Sequence, residues 1–126
     1  MKIPEFTLKF NADYIPMKAN DLEAILLKKG IEIASHGRIN WDACKNKSFF
    51  SSINDAAKFI AEKKGASVIF LSNQASIPIK TSNTNIAENL PDILDEDWDC
   101  WIIGGDWVLE KYHDDEKLRI CFVENR

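Results

Sequence analysis

The stretch from Ser52 to Leu71 restricts the fold more than any other part of the chain. Ile53, Ala56, Ala57, Ile60 and Ala61 recur at i, i+3, i+4, i+7 and i+8, the one-sided stripe of an amphipathic helix. Ser52 or Ser51 can cap its N-terminus, Lys63 and Lys64 suit the negative end of its dipole, and Gly65 stops it. Alanine at three stripe positions implies close approach to a sheet or to another helix. Val68-Ile69-Phe70-Leu71 follows directly, a continuous apolar run typical of a strand covered on both faces.

The flanking segments build outward from this unit. Phe6, Leu8 and Phe10 alternate with Thr7 and Lys9, which predicts a half-buried strand. Asn20 stands where an N-cap should, Glu23 follows three residues later, and Leu22, Ile25 and Leu26 have helical spacing until Gly30 ends the run. Ile31 and Ile33 suggest a short strand. Ser35 to Ser52 predicts a long connection anchored by Trp41 and Phe49-Phe50. Between Ser72 and Asn89, Pro78 admits at most an edge strand near Ile77 to Thr81.

From Trp98 onward the pattern is β. Trp98, Cys100 and Ile102 alternate, and Gly104-Gly105 mark a turn. Trp107 to Tyr112 form a second strand, and Leu118, Ile120 and Phe122 alternate beyond a turn at His113 to Glu116. The expected architecture is a single α+β domain over residues 1–126. It has a mainly antiparallel sheet with a C-terminal β-meander and two main helices packed on one face.

Composition limits the function classes. A hydrophobic fraction of 45% in 126 residues is ample for a packed core. The opening residues lack a signal-peptide run and no apolar stretch spans a membrane, so a cytoplasmic protein is expected. Cys44, Cys100 and Cys121 form no CxxC and read as small buried hydrophobes in a reducing compartment. No cofactor or metal is expected. Lysines accumulate mid-chain without arginine or aromatic clustering, which argues against direct nucleic-acid binding.

The net charge of −4 hides a polarity. Residues 92–126 carry eleven carboxylates against four basic side chains, a net of −7, whereas residues 1–91 carry a net of +3. The cluster Asp92, Asp95, Glu96, Asp97 and Asp99 has three readings. It lacks the loop pattern of a calcium site. It can be a solvated acidic loop before a strand. With Trp98 inside it and a second acidic group at Asp114, Asp115 and Glu116, it can also be a recognition surface for a basic protein. The two groups could share a face or lie at opposite ends. Trp101 and Trp107 flank the Gly-Gly turn and are expected to pin the hairpin in the core, while Trp98 is the expected exposed anchor.

Catalytic signals are weak. His36 and His113 lie beside turns, and no Ser or Cys nucleophile carries an accompanying motif. A small enzyme or ligand-binding domain with a pocket near His36, Trp41 and Cys44 is the alternative reading, and a generic interaction adaptor is a further one.

The stretch Trp98-Asp99-Cys100-Trp101-Ile102-Ile103-Gly104-Gly105-Asp106-Trp107-Val108-Leu109-Glu110-Lys111-Tyr112, with Leu118-Arg119-Ile120-Cys121-Phe122-Val123, carries a resemblance. Small, acidic, tryptophan-rich α+β chains of this kind resemble the immunity proteins of bacterial polymorphic-toxin and contact-dependent growth inhibition systems. The resemblance implies a non-enzymatic inhibitor, a monomer or weak dimer without a membrane role. Its partner would be a cognate toxin with a basic C-terminal domain, often a nuclease. Candidate contact residues are Asp92, Asp95, Glu96, Asp97, Trp98, Asp99, Asp114, Asp115 and Glu116.

Overall fold

The computed structural model describes residues 4–15, 21–34, 38–72 and 77–123. Seven antiparallel strands form one sheet among these residues: β1 (Asp13–Tyr14), β2 (Lys47–Phe50), β3 (Ala66–Leu71), β4 (Ile79–Ser82), β5 (Cys100–Ile103), β6 (Trp107–Lys111) and β7 (Leu118–Phe122). Their spatial order is β1-β4-β3-β5-β6-β7-β2. The helices are α1 (Asp21–Lys28), α2 (Ile53–Glu62), α3 (Asn83–Glu88) and α4 (Leu90–Asp95). The fold class is α+β, and β5, β6 and β7 form the expected C-terminal meander.

The strands alternate their side chains between two cores. Ile69 and Leu71 of β3, Cys100 and Ile102 of β5, and Trp107 and Leu109 of β6 face one side. There they pack with Ala56 and Ile60 of α2, Ile86 of α3, and Leu90, Ile93 and Leu94 of α4. Phe70, Trp101, Ile103, Val108 and Cys121 face the other side, where Leu22 and Leu26 of α1 cover them. The period-2 side-chain alternation of a strand produces this division. The helical layer expected on one face therefore holds for α2, whereas α1 closes the opposite face.

Helix α2 forms as its stripe requires. Ser52 Oγ accepts the Asp55 N–H at 3.1 Å, and Gly65 leaves the helix at φ +97°. Helix α1 ends before Gly30 at φ +80°, and its expected cap, Asn20, lies outside the described residues. Strand β3 lies between β4 and β5, buried on both faces as its apolar run predicts.

Four expectations change. Glu5–Lys9 is a 3-10 helix, not a strand. Thr7 Oγ1 donates to the Pro4 carbonyl at 2.7 Å, Phe6 is buried and stacks on Phe10 at 5.9 Å, and Leu8 is left 87% exposed. A strand would have put all three apolar residues on one face. The connection from Ser35 to Ser52 contains edge strand β2, which pairs with β7. Ile31 to Ile33 contributes only a bridge between Ile33 and Ile39. The supposed acidic loop before β5 is largely α4, preceded by α3. Ile86, Leu90, Ile93 and Leu94 are buried at i, i+4, i+7 and i+8, a helical stripe carried across the break between the two helices.

The cysteines also differ from expectation. Cys44 and Cys121 form a disulfide that ties the segment before β2 to β7. Cys100 is free and buried. Burial pushes its thiol up to about 12, against the lowering effect of Lys111, which leaves it an inert core group.

Candidate functional site

The two acidic groups of the sequence meet at one end of the meander. Asp92 and Asp95 are exposed on α4, and Glu96 is the residue that ends it. Asp97, Trp98 and Asp99 lead into β5, while His113 to Glu116 turn the chain from β6 to β7. Two residues join these segments. Lys111 Nζ donates to the carbonyls of Leu94 at 2.9 Å and Asp97 at 2.8 Å, placing a cation against the negative end of α4. Asp99 Oδ1 accepts the His113 backbone N–H at 2.8 Å and lies 2.9 Å from its Nδ1.

The candidate residues then separate by role. Trp98 is 72% exposed, whereas Trp101 and Trp107 are core residues, as the turn between them suggested. Asp114 and Glu116 point outward with Asp92 and Asp95. Asp97 Oδ1 accepts the Trp98 N–H at 2.8 Å, and Glu96 accepts the Glu5 N–H. Asp115 is turned inward, bonded to Arg38 at 2.9 Å, to Arg119 and to the Lys117 N–H. Beside α4, Glu5, Phe6, Leu8, Asp92, Asp95 and Glu96 line an open recess of about 360 Å³. Its lining combines two apolar side chains with four carboxylates, a surface suited to a cationic side chain with an aliphatic stem.

Beneath this end lies a buried charge that sequence reasoning missed. Glu110 of β6 is 1% exposed on the α1 side of the sheet. Its Oε2 accepts Trp101 Nε1 at 2.9 Å and the Ile39 N–H at 2.8 Å. Its Oε1 accepts Trp41 Nε1 at 2.9 Å and pairs with Arg38 at 2.9 Å. The available signal was the position of Glu110, two residues after Val108, where the strand pattern calls for an apolar side chain.

The opposite end of β6 has the opposite charge. A cleft of about 690 Å³ is lined by Lys28, Lys29 and Lys45, with Gly105 and the Cys44–Cys121 bridge in its wall. Of the alternative pocket residues, His36 lies outside the described residues and Trp41 is bound to Glu110. Cys44 is oxidised and offers no thiolate nucleophile. Among the described residues, no group of three or more His, Cys, Asp or Glu is arranged to hold a metal. No helix among them is long and apolar enough to cross a membrane.

A family model described as CdiI immunity protein EcoliA0-like matches residues 9–121, nearly the whole chain and every strand but for the last residue of β7. The chain belongs to the CdiI immunity protein family. Its function is therefore to neutralise a cognate toxin. The resemblance drawn from the tryptophan-rich meander is borne out at the level of family. A search of curated proteins finds no match.

Proposed function

We propose that this immunity protein neutralises a nuclease toxin domain by binding its basic surface through the acidic end of the meander, acting in the cytoplasm. Asp92, Asp95, Glu96, Asp97 and Trp98 form one half of the contact, and Asp99, Asp114 and Glu116 form the other. Asp115 supports this surface from within. The observation that carries the reading is the joining of two carboxylate groups, separate in sequence, around one exposed tryptophan through the Asp99–His113 and Lys111 contacts. A nuclease groove built for phosphate presents cations, and carboxylates on rigid elements can stand in for the phosphates. The carboxylates attract the toxin over distance, and Trp98 supplies contact area after water leaves.

The test is charge reversal of Asp95, Glu96 and Asp97 to Lys, with the cognate toxin domain as the partner. Association at low salt should slow about tenfold to a hundredfold, and its dependence on ionic strength should flatten. An unchanged rate and salt slope would place the interface elsewhere. A nucleic-acid cleavage assay of the isolated toxin decides the nuclease assignment separately.

A further inference from the structure

Trp98 lies outside the regular elements and is largely exposed, yet its orientation is supported. Its ring meets His113 edge to face, with centroids 5.6 Å apart and planes at 71°. His113 is itself held on two further sides. Asp99 Oδ1 takes both its backbone N–H and its Nδ1, and its ring lies against Tyr112 at 4.4 Å. The Arg38 guanidinium sits 4.5 Å from the centre of the Tyr112 ring, and the buried Glu110 binds Arg38. Contacts thus run without a break from the buried carboxylate through Arg38, Tyr112 and His113 to the exposed indole.

We propose that His113 is a positioning residue of the toxin-binding surface, holding Trp98 as a preformed anchor for a cationic side chain of the toxin. This rests on the acidic end being the interface. The cationic preference follows from the surroundings of the ring: Asp97 and Asp99 adjoin Trp98, Asp114 Oδ2 lies 3.5 Å from His113 Nε2, and an indole face attracts cations. A held indole loses less freedom on binding than one free to swing. The benefit therefore appears as slower dissociation.

Binding kinetics with the cognate toxin domain test this with Trp98→Ala, His113→Ala and the double variant. His113→Ala should weaken binding about threefold to tenfold, the scale of freeing one side chain, mainly through faster dissociation. In the Trp98→Ala background His113→Ala should not weaken binding further. The Trp98 indole N–H resonance of the free protein should move or broaden in His113→Ala, while those of Trp101 and Trp107 stay in place. Equal losses with and without Trp98 overturn the positioning role. A weakened Trp98→Ala beside an unaffected His113→Ala overturns it while leaving the acidic interface standing. An unchanged Trp98→Ala overturns that interface as read, and this inference with it.

Discussion

Glu110 has a side chain sealed from solvent, and each of its oxygens meets only donors. A buried carboxylate is tolerated when it is both paired and fully hydrogen-bonded, and both conditions hold here. Removing it strands two indole N–H groups and one backbone N–H, and leaves Arg38 with Asp115 as its carboxylate partner. Glu110→Ala should cost about 3–5 kcal/mol, seen as a lower urea midpoint with little change in slope. Glu110→Gln should also destabilise, because its amide sets an N–H against donors. Asp115 gives a pH-dependent counterpart. Burial pushes its carboxyl up, but hydrogen bonds from Arg119, Arg38 and the Lys117 N–H prevail and hold it at about 2, below the usual 3.8. A group depressed in the folded state stabilises the fold above its unfolded value, and that contribution is lost as pH falls from about 4 toward 2. The loss should be on the order of 2 kcal/mol, and Asp115→Asn should flatten stability across that window. The acids themselves were visible in the sequence, but their division into outward Asp114 and inward Asp115 depends on Arg38, which is remote in sequence.

The β5–β6 turn shows how an element is fixed by one small residue. A Cβ on Gly104 would stand 2.2 Å from Trp107 Cε2, whereas one on Gly105 meets nothing within 4 Å. Trp107 is 1% exposed and touches Phe59 of α2 edge to face at 5.5 Å, so it has little room to yield. Gly104→Ala should therefore destabilise by about 1–3 kcal/mol, while Gly105→Ala changes stability little. Comparing the thermal midpoints of the two variants checks this. Helix α2, strand β3 and the meander were legible because their periodicity, caps and turn glycines agree with one another. The 3-10 helix was not, since Phe6, Leu8 and Phe10 satisfy the strand pattern and only the packing of Phe6 under α4 rejects it. Helices α3 and α4 were obscured because each is six residues long and their shared apolar stripe crosses the break at Asn89. Edge strand β2, exposed over most of its length, carries almost no inward pattern to read.

At the scale of the molecule, the charge polarity along the chain becomes a polarity along the strands. β6 runs from the lysine-lined cleft at Gly105 to the acidic turn at His113. Such a charge separation orients an approaching partner before contact as well as attracting it. The Cys44–Cys121 bridge acts at the same scale by closing a 77-residue separation. Loop-closure entropy gives it a stabilisation on the order of 4 kcal/mol. Reductant should therefore lower the thermal midpoint of the wild-type protein and leave a Cys44→Ala/Cys121→Ala variant unaffected. Mass mapping without reduction should find Cys100 free and the other two linked.

Local pattern by itself determined the α+β class, the helix–strand unit at the centre, the meander and the assignment of Trp98 to the surface and Trp107 to the core. These rest on interactions among residues near one another in the chain, which periodicity and turn chemistry record. Only the tertiary structure decided that the two acidic groups adjoin, that Glu110 is buried and fully bonded, and that Cys44 meets Cys121. Each of these depends on which strand lies beside which, and on a side chain finding its partner from a distant segment. No periodicity encodes that partner, because it is fixed only when the sheet closes and both cores exclude water.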